Sequence, residues 1–301
     1  MDTSTTILWR TKYAAAYMEE ENMVIRYRFP YSKQREAALL GAYQLTPGER
    51  LPYYQTLSAM VERNIAISEY LKEEQVQSIL AYDHTFQKQE ENGVICIYCI
   101  PEEPVTPLSC SLFHEDCNAL TALDVFLRLT HILRDINKTP ISPVLRYLDM
   151  DDVYLTQDNK IKLGGFFYAT AEGLLQAPNY LQDAAPVVPA DVRAGAPGNI
   201  GTDMRILSMI AWNVFSGLQW NCGHTSQTLK VPPAYAPSSL LKILELGLSG
   251  DPEQFNTFRK QLLQCRKELA KTDFAQVIIP MGHAMTRQYS FNAASNSIIG
   301  A

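Results

Sequence analysis

The segment 144–167 constrains the fold of this 301-residue chain more than any other stretch. It contains two short runs, Val153-Tyr154-Leu155 and Ile161-Lys162-Leu163, separated by a polar turn around Asp158-Asn159. Apolar residues that alternate on both sides of such a turn are typical of a β-hairpin. The residues directly before and after this hairpin therefore decide what chemistry the chain can carry.

Composition and charge exclude several classes of protein. The chain is 47% hydrophobic and 19% charged, which is ordinary for a globular protein with a sizeable core. Its net charge of −6 disfavours nonspecific binding to nucleic acid. No signal peptide is recognisable at the start, and the longest apolar stretch, around 208–220, is too short for a membrane span. We therefore expect a cytoplasmic protein without a nucleic-acid partner or a membrane span.

The spacing of Cys96 and Cys99, followed by His114 and Cys117, is similar to that of a zinc site. However, Cys96 and Cys99 lie in the run V-I-C-I-Y-C-I, whose composition predicts a strand. Side chains three positions apart on a strand point to opposite faces of the sheet and do not share one metal ion. The sequence therefore favours free thiols over a zinc site.

The first hundred residues predict five strands and one helix. Strands are expected near 6–9, 13–17, 23–29, 76–86 and 94–100, and a helix is expected over 57–72 after a Pro-Gly turn at 47–48. Antiparallel pairing of these strands is the simplest arrangement, because polar turns separate them. The fold class is therefore α+β, with a small five-stranded antiparallel lobe.

The second half of the chain is mainly helical. Three prolines in 101–107 predict an irregular hinge, and helices are expected over 120–136, 204–215, 238–248 and 253–269. These features divide the chain into a first lobe over 1–103, a second lobe over 104–270 and a tail over 271–301. The tail has no period, which is compatible with a disordered, linking or docking segment, or with a chain that is a piece of a longer protein.

This layout resembles the protein-kinase family over roughly residues 5–270. In that family a His-Arg-Asp triplet and an Asn precede the hairpin, and an Asp-Phe-Gly triplet closes it. Here the corresponding residues are Leu145-Arg146-Tyr147, Asp152 and Gly165-Phe166-Phe167. The resemblance implies a bilobal kinase-like fold with a β-rich lobe and a helical lobe.

Three further motifs carry the same resemblance. The apolar run that starts at Asp203 and ends at Gly217 is similar to the central buried helix of the family. Val188-Pro189-Ala190 stands where the family ends its activation segment with Ala-Pro-Glu, and Asp251-Pro252 is similar to an Asp-Pro near its last helices. Ala190 and Phe255 then replace both members of a buried ion pair.

The residues that would perform phosphoryl transfer differ from the family. Tyr147 replaces the catalytic Asp, and a phenol with a pKa near 10 is a poor proton acceptor, so a packing or cleft-filling role is favoured. Gly165 replaces the metal-binding Asp and offers no ligand. Asp152 could still contact a cation together with Asp149 and Asp151, although a solvated acidic loop is the favoured interpretation of this run.

The nucleotide-binding residues are also altered. Alignment of M-V-I-R with the family pattern Val-Ala-x-Lys places Arg26 at the phosphate-contacting Lys, although an ordinary strand-face cation is an equal reading. Asn64 stands at the position of the partner Glu on the first helix, with Glu62 and Glu69 as alternatives in a shifted register. A glycine-rich phosphate loop is missing, because the first glycine of the chain is Gly41.

Residues with a structural role are retained by contrast. Leu145 and Phe166 are apolar where the family has part of an apolar column between its lobes. Asp203 stands where the family binds the backbone of the catalytic loop. The resemblance therefore implies a scaffold that is kept while its chemistry is lost.

The predicted function is that of a pseudokinase, a catalytically inactive signalling scaffold that binds a protein partner such as a kinase, a phosphatase or a receptor-associated protein. No cofactor is expected, and binding of ATP or Mg²⁺ should be weak or absent. The alternative is an unconventional ATP-dependent phosphotransferase that uses Arg26 with Asp149, Asp151 and Asp152.

Overall fold

The computed structural model describes residues 6–11, 14–27, 47–89, 95–111, 117–145, 148, 150–166, 198–216 and 237–279. Within these residues the protein has an α+β fold, as the sequence predicted. Its strands are β1 (Ile7–Arg10), β2 (Ala14–Glu19), β3 (Asn22–Tyr27), β4 (Tyr82–Gln89), β5 (Ile95–Pro101), β6 (Val105–Pro107), β7 (Val153–Thr156) and β8 (Ile161–Leu163). Its helices are α1 (Pro47–Glu73), α2 (Ala119–Ile136), α3 (Ile200–Ser216), α4 (Ser238–Leu248) and α5 (Phe255–Leu269).

Strands β1 to β5 form one antiparallel sheet in the order β1-β2-β3-β5-β4, which confirms the predicted five-stranded antiparallel sheet. The predicted fourth strand began too early, at residue 76. Gln75 and Ser78 adopt φ values of 60° and 67°, in the left-handed region that interrupts an extended chain. Ile79 consequently makes only an isolated bridge to Leu163, and β4 begins at Tyr82.

Helix α1 is longer than predicted. It begins at Pro47, so the Pro-Gly pair is the first turn of the helix and the predicted turn at 47–48 is wrong. Proline is favoured at the first position of a helix because the amide hydrogen that it lacks has no intrahelical acceptor there. The C-terminal half of α1 packs against the sheet through Met60, Val61 and Ile65.

The predicted hairpin is confirmed as β7 and β8, which pair in antiparallel register. Asn159 has a φ of 60° in the turn, a conformation that asparagine tolerates better than most residues. The stretch 101–107 was expected to be irregular, but Val105–Pro107 pairs with β7 as strand β6. Proline is tolerated there because β6 is the edge strand of the order β6-β7-β8. An edge strand does not need to donate amide hydrogens to a strand on its outer side.

Helices α2 and α3 form the centre of the second half of the described chain. The Asn118 side chain accepts a hydrogen bond from the Thr121 amide and caps α2. Helix α3 is buried nearly all round, as predicted, but it begins at Ile200 rather than near Asp203. Asn199 accounts for the earlier start, because its Oδ1 accepts from the Gly201 amide at 2.8 Å.

Two apolar clusters meet at the hairpin. The larger contains residues of α2, α3, α4 and α5 together with Leu145, Leu163 and Phe166. The smaller lies under the five-stranded sheet and contains Val105 of β6 and Tyr154 of β7. The hairpin is therefore buried on both of its sides, and the candidate site lies along it.

The cysteines of β5 lie on opposite sides of the sheet, as the strand period predicted. Cys99 packs with Ile25 and Tyr27 toward α1, whereas Cys96 packs with Val24 and Tyr98 on the other face. His114 lies outside the described residues. The geometric reason for doubting a shared zinc ion at Cys96 and Cys99 is thus confirmed.

Several predictions concern residues that the structure does not describe, so they stay predictions. Tyr147, Asp149, Phe167, the motif 188–190 and most of the tail 271–301 lie outside the described residues. The division into lobes over 1–103 and 104–270 also stays a prediction. In the described part of the chain, no helix combines the length and the apolar character that a membrane crossing needs.

Candidate functional site

The loop after β8 is hydrogen-bonded to helix α1 through the Asn64 side chain. The backbone amide of Phe166 donates a hydrogen bond of 2.7 Å to Oδ1 of Asn64, and both residues are buried. The predicted site residues Asn64 and Phe166, which are 102 positions apart in the sequence, therefore meet in the structure. A neutral amide makes this contact, so helix and loop are joined without an ion pair.

Gly165 fits its position because it has no side chain. Its φ of +79° lies in the left-handed region, and a Cβ placed on it would lie 2.4 Å from Cβ of Asp152 and 2.6 Å from its Cγ. Any other residue would be strained in its backbone and would overlap a side chain. The Asp152 carboxylate group thus occupies the space that a carboxylate at residue 165 would need.

The segment before the hairpin is tied to helix α3. The amide of Leu145 donates a hydrogen bond of 2.9 Å to Oδ1 of Asp203, and this contact is buried. Leu145 and Phe166 both belong to the larger apolar cluster. The three residues to which a structural role was assigned therefore lie together in the core.

The acidic residues before β7 are only partly described. Asp151 and Asp152 are each 9% exposed, and Asp149 lies outside the described residues. Ser109 donates a hydrogen bond of 2.5 Å from its hydroxyl to Oδ1 of Asp151. Asp151 is therefore engaged within the protein, and Asp152 packs against Gly165. In the part of the chain that the structure describes, no group of three His, Cys, Asp or Glu side chains is placed to hold a metal ion.

Arg26 lies on the face of the sheet that points away from α1. It pairs across the strands with Ala15 and Tyr98, and Tyr98 belongs to the small cluster on that outer face. Its neighbours on β3, Ile25 and Tyr27, point inward to the cluster beneath the sheet. The structure therefore does not bring Arg26 together with Asn64 and Asp152, and the strand-face reading describes its position.

Three tyrosines that sequence reasoning missed converge between the sheet and the hairpin. The hydroxyl groups of Tyr27 and Tyr82 lie 3.2 Å apart, and the hydroxyl of Tyr154 is a further hydrogen-bond partner of Tyr27. Burial raises the pKa of all three phenols above the ordinary value. The cluster is therefore neutral at physiological pH and stabilises the contact by hydrogen bonds rather than by charge.

The backbone carbonyl and amide of Val105, directly after β5 and its turn, both form hydrogen bonds with side chains of the protein. Its carbonyl accepts a hydrogen bond of 2.8 Å from Nε1 of Trp9, and its amide donates to Sδ of Met23 at 3.5 Å. The ring of Trp9 lies against that of Tyr154, with centroids 6.1 Å apart. Side chains from β1, β3 and β7 therefore converge on the strand that links the two halves of the described chain.

The period of strand β3 was the signal that could have revealed this arrangement. Its inward positions carry Met23, Ile25 and Tyr27, so this strand offers no cation to the space above the hairpin. A shift of one residue exchanges the two faces of a strand, so Arg26 faces outward and the next residue, Tyr27, faces the hairpin.

Comparison with known proteins does not add a family to these observations. The chain matches no protein-family model and no curated protein. The function is therefore argued from the arrangement of its residues alone.

Proposed function

We propose that this chain is a kinase-like domain that has lost phosphoryl transfer and acts as a regulatory or scaffolding module for a protein partner. The order of the five-stranded sheet, the helix α1 beneath it and the hairpin before α3 support this assignment. The hydrogen bond from Leu145 to Asp203 supports it further, because the family uses an Asp at this position to hold its catalytic loop. The proposed kinase-like arrangement has two lobes that meet at β6 and the hairpin.

One observation carries the functional part of the proposal. The space between the sheet and the hairpin, where a kinase binds its nucleotide, contains the buried side chains of Trp9, Tyr27, Tyr82 and Tyr154. Trp9 also donates a hydrogen bond to the Val105 carbonyl. A planar ligand in this space would otherwise be able to bind that carbonyl. A nucleotide would have to displace these side chains and break their hydrogen bonds, which costs affinity.

The catalytic groups support the same conclusion. Phosphoryl transfer depends on metal ions and cations that neutralise developing charge, and on a carboxylate that positions the attacking hydroxyl. Gly165 supplies no metal ligand, and β3 presents Tyr27 where a lysine is needed. Tyr147 stands in place of the positioning carboxylate. Loss of all three groups favours a module without catalytic activity.

The alternative, an unconventional phosphotransferase, requires Arg26 to meet the acidic residues before β7. Arg26 is on the outer face of the sheet, and Asp151 accepts a hydrogen bond from Ser109. The geometry therefore favours the inactive module. The expectation of a cytoplasmic protein with a kinase, phosphatase or receptor-associated partner remains part of the proposal.

Titration of the full chain with ATP, in the presence and absence of Mg²⁺, tests the proposal by thermal unfolding. We expect no Mg²⁺-dependent rise in the unfolding temperature, because the protein fills its own cleft. A rise of more than roughly 3 °C that requires Mg²⁺ would contradict the proposal, since a ligand that binds only the folded state stabilises it.

Two variants locate any nucleotide response that is observed. Trp9→Leu opens the cleft and frees the Val105 carbonyl, so a response to adenosine that appears only in this variant would identify the Trp9 side chain as the block. Arg26→Gln removes the cation of the alternative reading. If ATP binds the wild-type chain and Arg26→Gln abolishes that binding, the phosphotransferase reading is favoured instead.

A further inference from the structure

Helices α2 and α5 pack side by side and carry a group of charged residues that the candidate site does not include. Arg266 of α5 binds Asp124 of α2 through two hydrogen bonds of 2.8 and 3.1 Å. His131 lies seven residues after Asp124 on α2, and Arg259 lies seven residues before Arg266 on α5. These two residues interact electrostatically, so the helices run antiparallel and repeat the contact two turns on.

The second contact differs from the first in its charge. Arg259 faces His131 and Arg134 of α2, and the acid that acts on it, Asp135, also acts on His131. The nearby acid, Asp135, accepts two hydrogen bonds from Arg134 and one from Lys138 at 2.9 Å. Arg259, Arg134 and Lys138 thus share the Asp135 carboxylate, which leaves the group positively charged, whereas the lowered pKa of His131 keeps its imidazole neutral at pH 7.

Arg259 carries a buried polar atom that needs an acceptor. Its Nε atom is buried and has no hydrogen-bond partner among the described residues. A buried donor without an acceptor is destabilising, and such atoms in native proteins call for a water, an ion or a ligand. Burial and the charge of Arg134 both lower the pKa of Arg259. Burial also lowers the pKa of His131, and the charges of Arg259 and Arg134 lower it further. The protein therefore holds positive charge here without enough negative charge to balance it.

We propose that Arg259, Arg134 and His131 form a binding site for a phosphate group on a phosphorylated segment of a partner protein. The guanidinium group of arginine presents several N–H donors in a plane, which suits phosphate oxygens. A dianionic phosphate on the exposed side of these residues would accept hydrogen bonds from the guanidinium groups and would offset the excess positive charge. This site gives the proposed interaction module a partner of defined chemistry, and the inference rests on that proposed function.

The charge of the whole chain favours a single phosphate over a polyanion. The net charge is −6, so nucleic acid or a strongly anionic membrane would be repelled by the rest of the surface. One phosphate group on a protein segment meets the basic cluster without approaching many acidic residues at once. A phosphorylated protein segment is therefore the ligand that we favour.

Thermal unfolding in inorganic phosphate tests the site, with potassium chloride at equal ionic strength as the salt control. We expect about 10 mM phosphate to raise the unfolding temperature of the wild-type chain by roughly 2 °C. Arg259→Gln should lose this response while remaining folded, because it removes a charge that the fold does not neutralise. Arg266→Gln is the matched control: it removes an arginine from the same helix pair and should keep the response.

A second variant and a peptide complete the test. Arg259→Lys retains the charge but not the fork of donors, and we expect it to bind phosphate about tenfold more weakly than the wild-type chain. A short phosphoserine peptide of glycine and alanine should bind the wild-type chain, and its unphosphorylated form should not. Binding of the peptide should be lost in Arg259→Gln and kept in Arg266→Gln.

Three results would overturn the inference. These are no stabilisation of the wild-type chain by phosphate, equal stabilisation of all variants, or binding to vesicles that contain a phosphoinositide but not to the phosphopeptide. The experiments contain no nucleotide and do not involve the cleft. Failure at this site therefore leaves the ATP titration as a separate judgement on the proposed function.

Discussion

The two sides of the β7–β8 hairpin are both buried and hydrogen-bonded, but they use different chemistry. Toward α3, the Asp203 carboxylate group holds the backbone of Leu145. Toward the sheet, neutral phenol and indole groups from Tyr27, Tyr154 and Trp9 fill the space. The first side keeps a contact that supports the chain, and in the proposed kinase-like domain the second fills the space where a nucleotide would bind. The loss of activity that we propose is therefore compatible with a scaffold that remains intact.

An aspartate after β8 is expected to give the largest effect, because it would overlap the Asp152 side chain at the start of the hairpin. Gly165→Asp would place Cβ 2.4 Å from Cβ of Asp152 at a φ of +79°. Backbone strain and overlap together should reduce the free energy of unfolding by about 4 kcal/mol. Urea unfolding measures this change, and a Mg²⁺ titration should detect no binding that compensates for it.

Gly164→Ala is the control for that experiment. A Cβ on Gly164 would lie 3.2 Å from the ring of Tyr154, and its φ is not in the left-handed region. We expect a change of less than about 1.5 kcal/mol. Equal destabilisation by the two variants would contradict the importance that we assign to the position of Gly165.

Removal of the Asp203 carboxylate tests the other side of the hairpin. Asp203→Ala leaves the buried amide of Leu145 without this acceptor, so the free energy of unfolding should fall by about 3 kcal/mol. Asp203→Asn keeps an acceptor oxygen and should lose less. If Asp203→Ala unfolds at the same urea concentration as the wild-type chain, the contact does not support the fold as we describe.

The tyrosine cluster should give the smallest effect, and one that depends on pH. Tyr27→Phe removes a hydroxyl that bonds Tyr82 and should cost about 1 kcal/mol at pH 7. The phenol pKa is raised in the folded state above the ordinary value of 10.0, so the unfolded chain loses its proton first as the pH rises. Stability from this group is therefore complete below pH 10 and declines above it.

The comparison at alkaline pH sharpens that prediction. Because Tyr27→Phe cannot titrate at this position, its stability should fall less steeply than that of the wild-type chain between pH 9 and 11. Urea midpoints at several pH values measure both slopes. Parallel slopes would show that Tyr27 does not stay neutral in the folded protein.

Local patterns in the sequence predicted most elements of the described fold. The hairpin, helix α2 and helix α4 follow from alternation or from the helical period, which are properties of neighbouring residues. The start of α1 was missed because Pro-Gly also occurs in turns, and local sequence does not distinguish the two uses. The early strand boundary at residue 76 failed because left-handed residues such as Ser78 are not marked by residue type.

The candidate site was less predictable because its contacts join distant parts of the chain. Tyr27 and Tyr82 are 55 positions apart, and Trp9 and Val105 are 96 apart. No local pattern indicates that these side chains meet. Arg26 was predicted from the alignment of M-V-I-R with Val-Ala-x-Lys, whereas the alternation of β3 places Tyr27 on the inward face. Strand period was therefore a better guide to position than residue chemistry.

The hydrogen bond between Asn64 and Phe166 has a consequence for how the domain responds to its surroundings. An ion pair that joined helix α1 to the loop after β8 would weaken with added salt and with protonation of its carboxylate. The amide of Asn64 carries no charge, so neither ionic strength nor physiological pH acts on this contact directly. The hydrogen bond that joins the helix to the loop should therefore be insensitive to salt concentration and to physiological changes in pH.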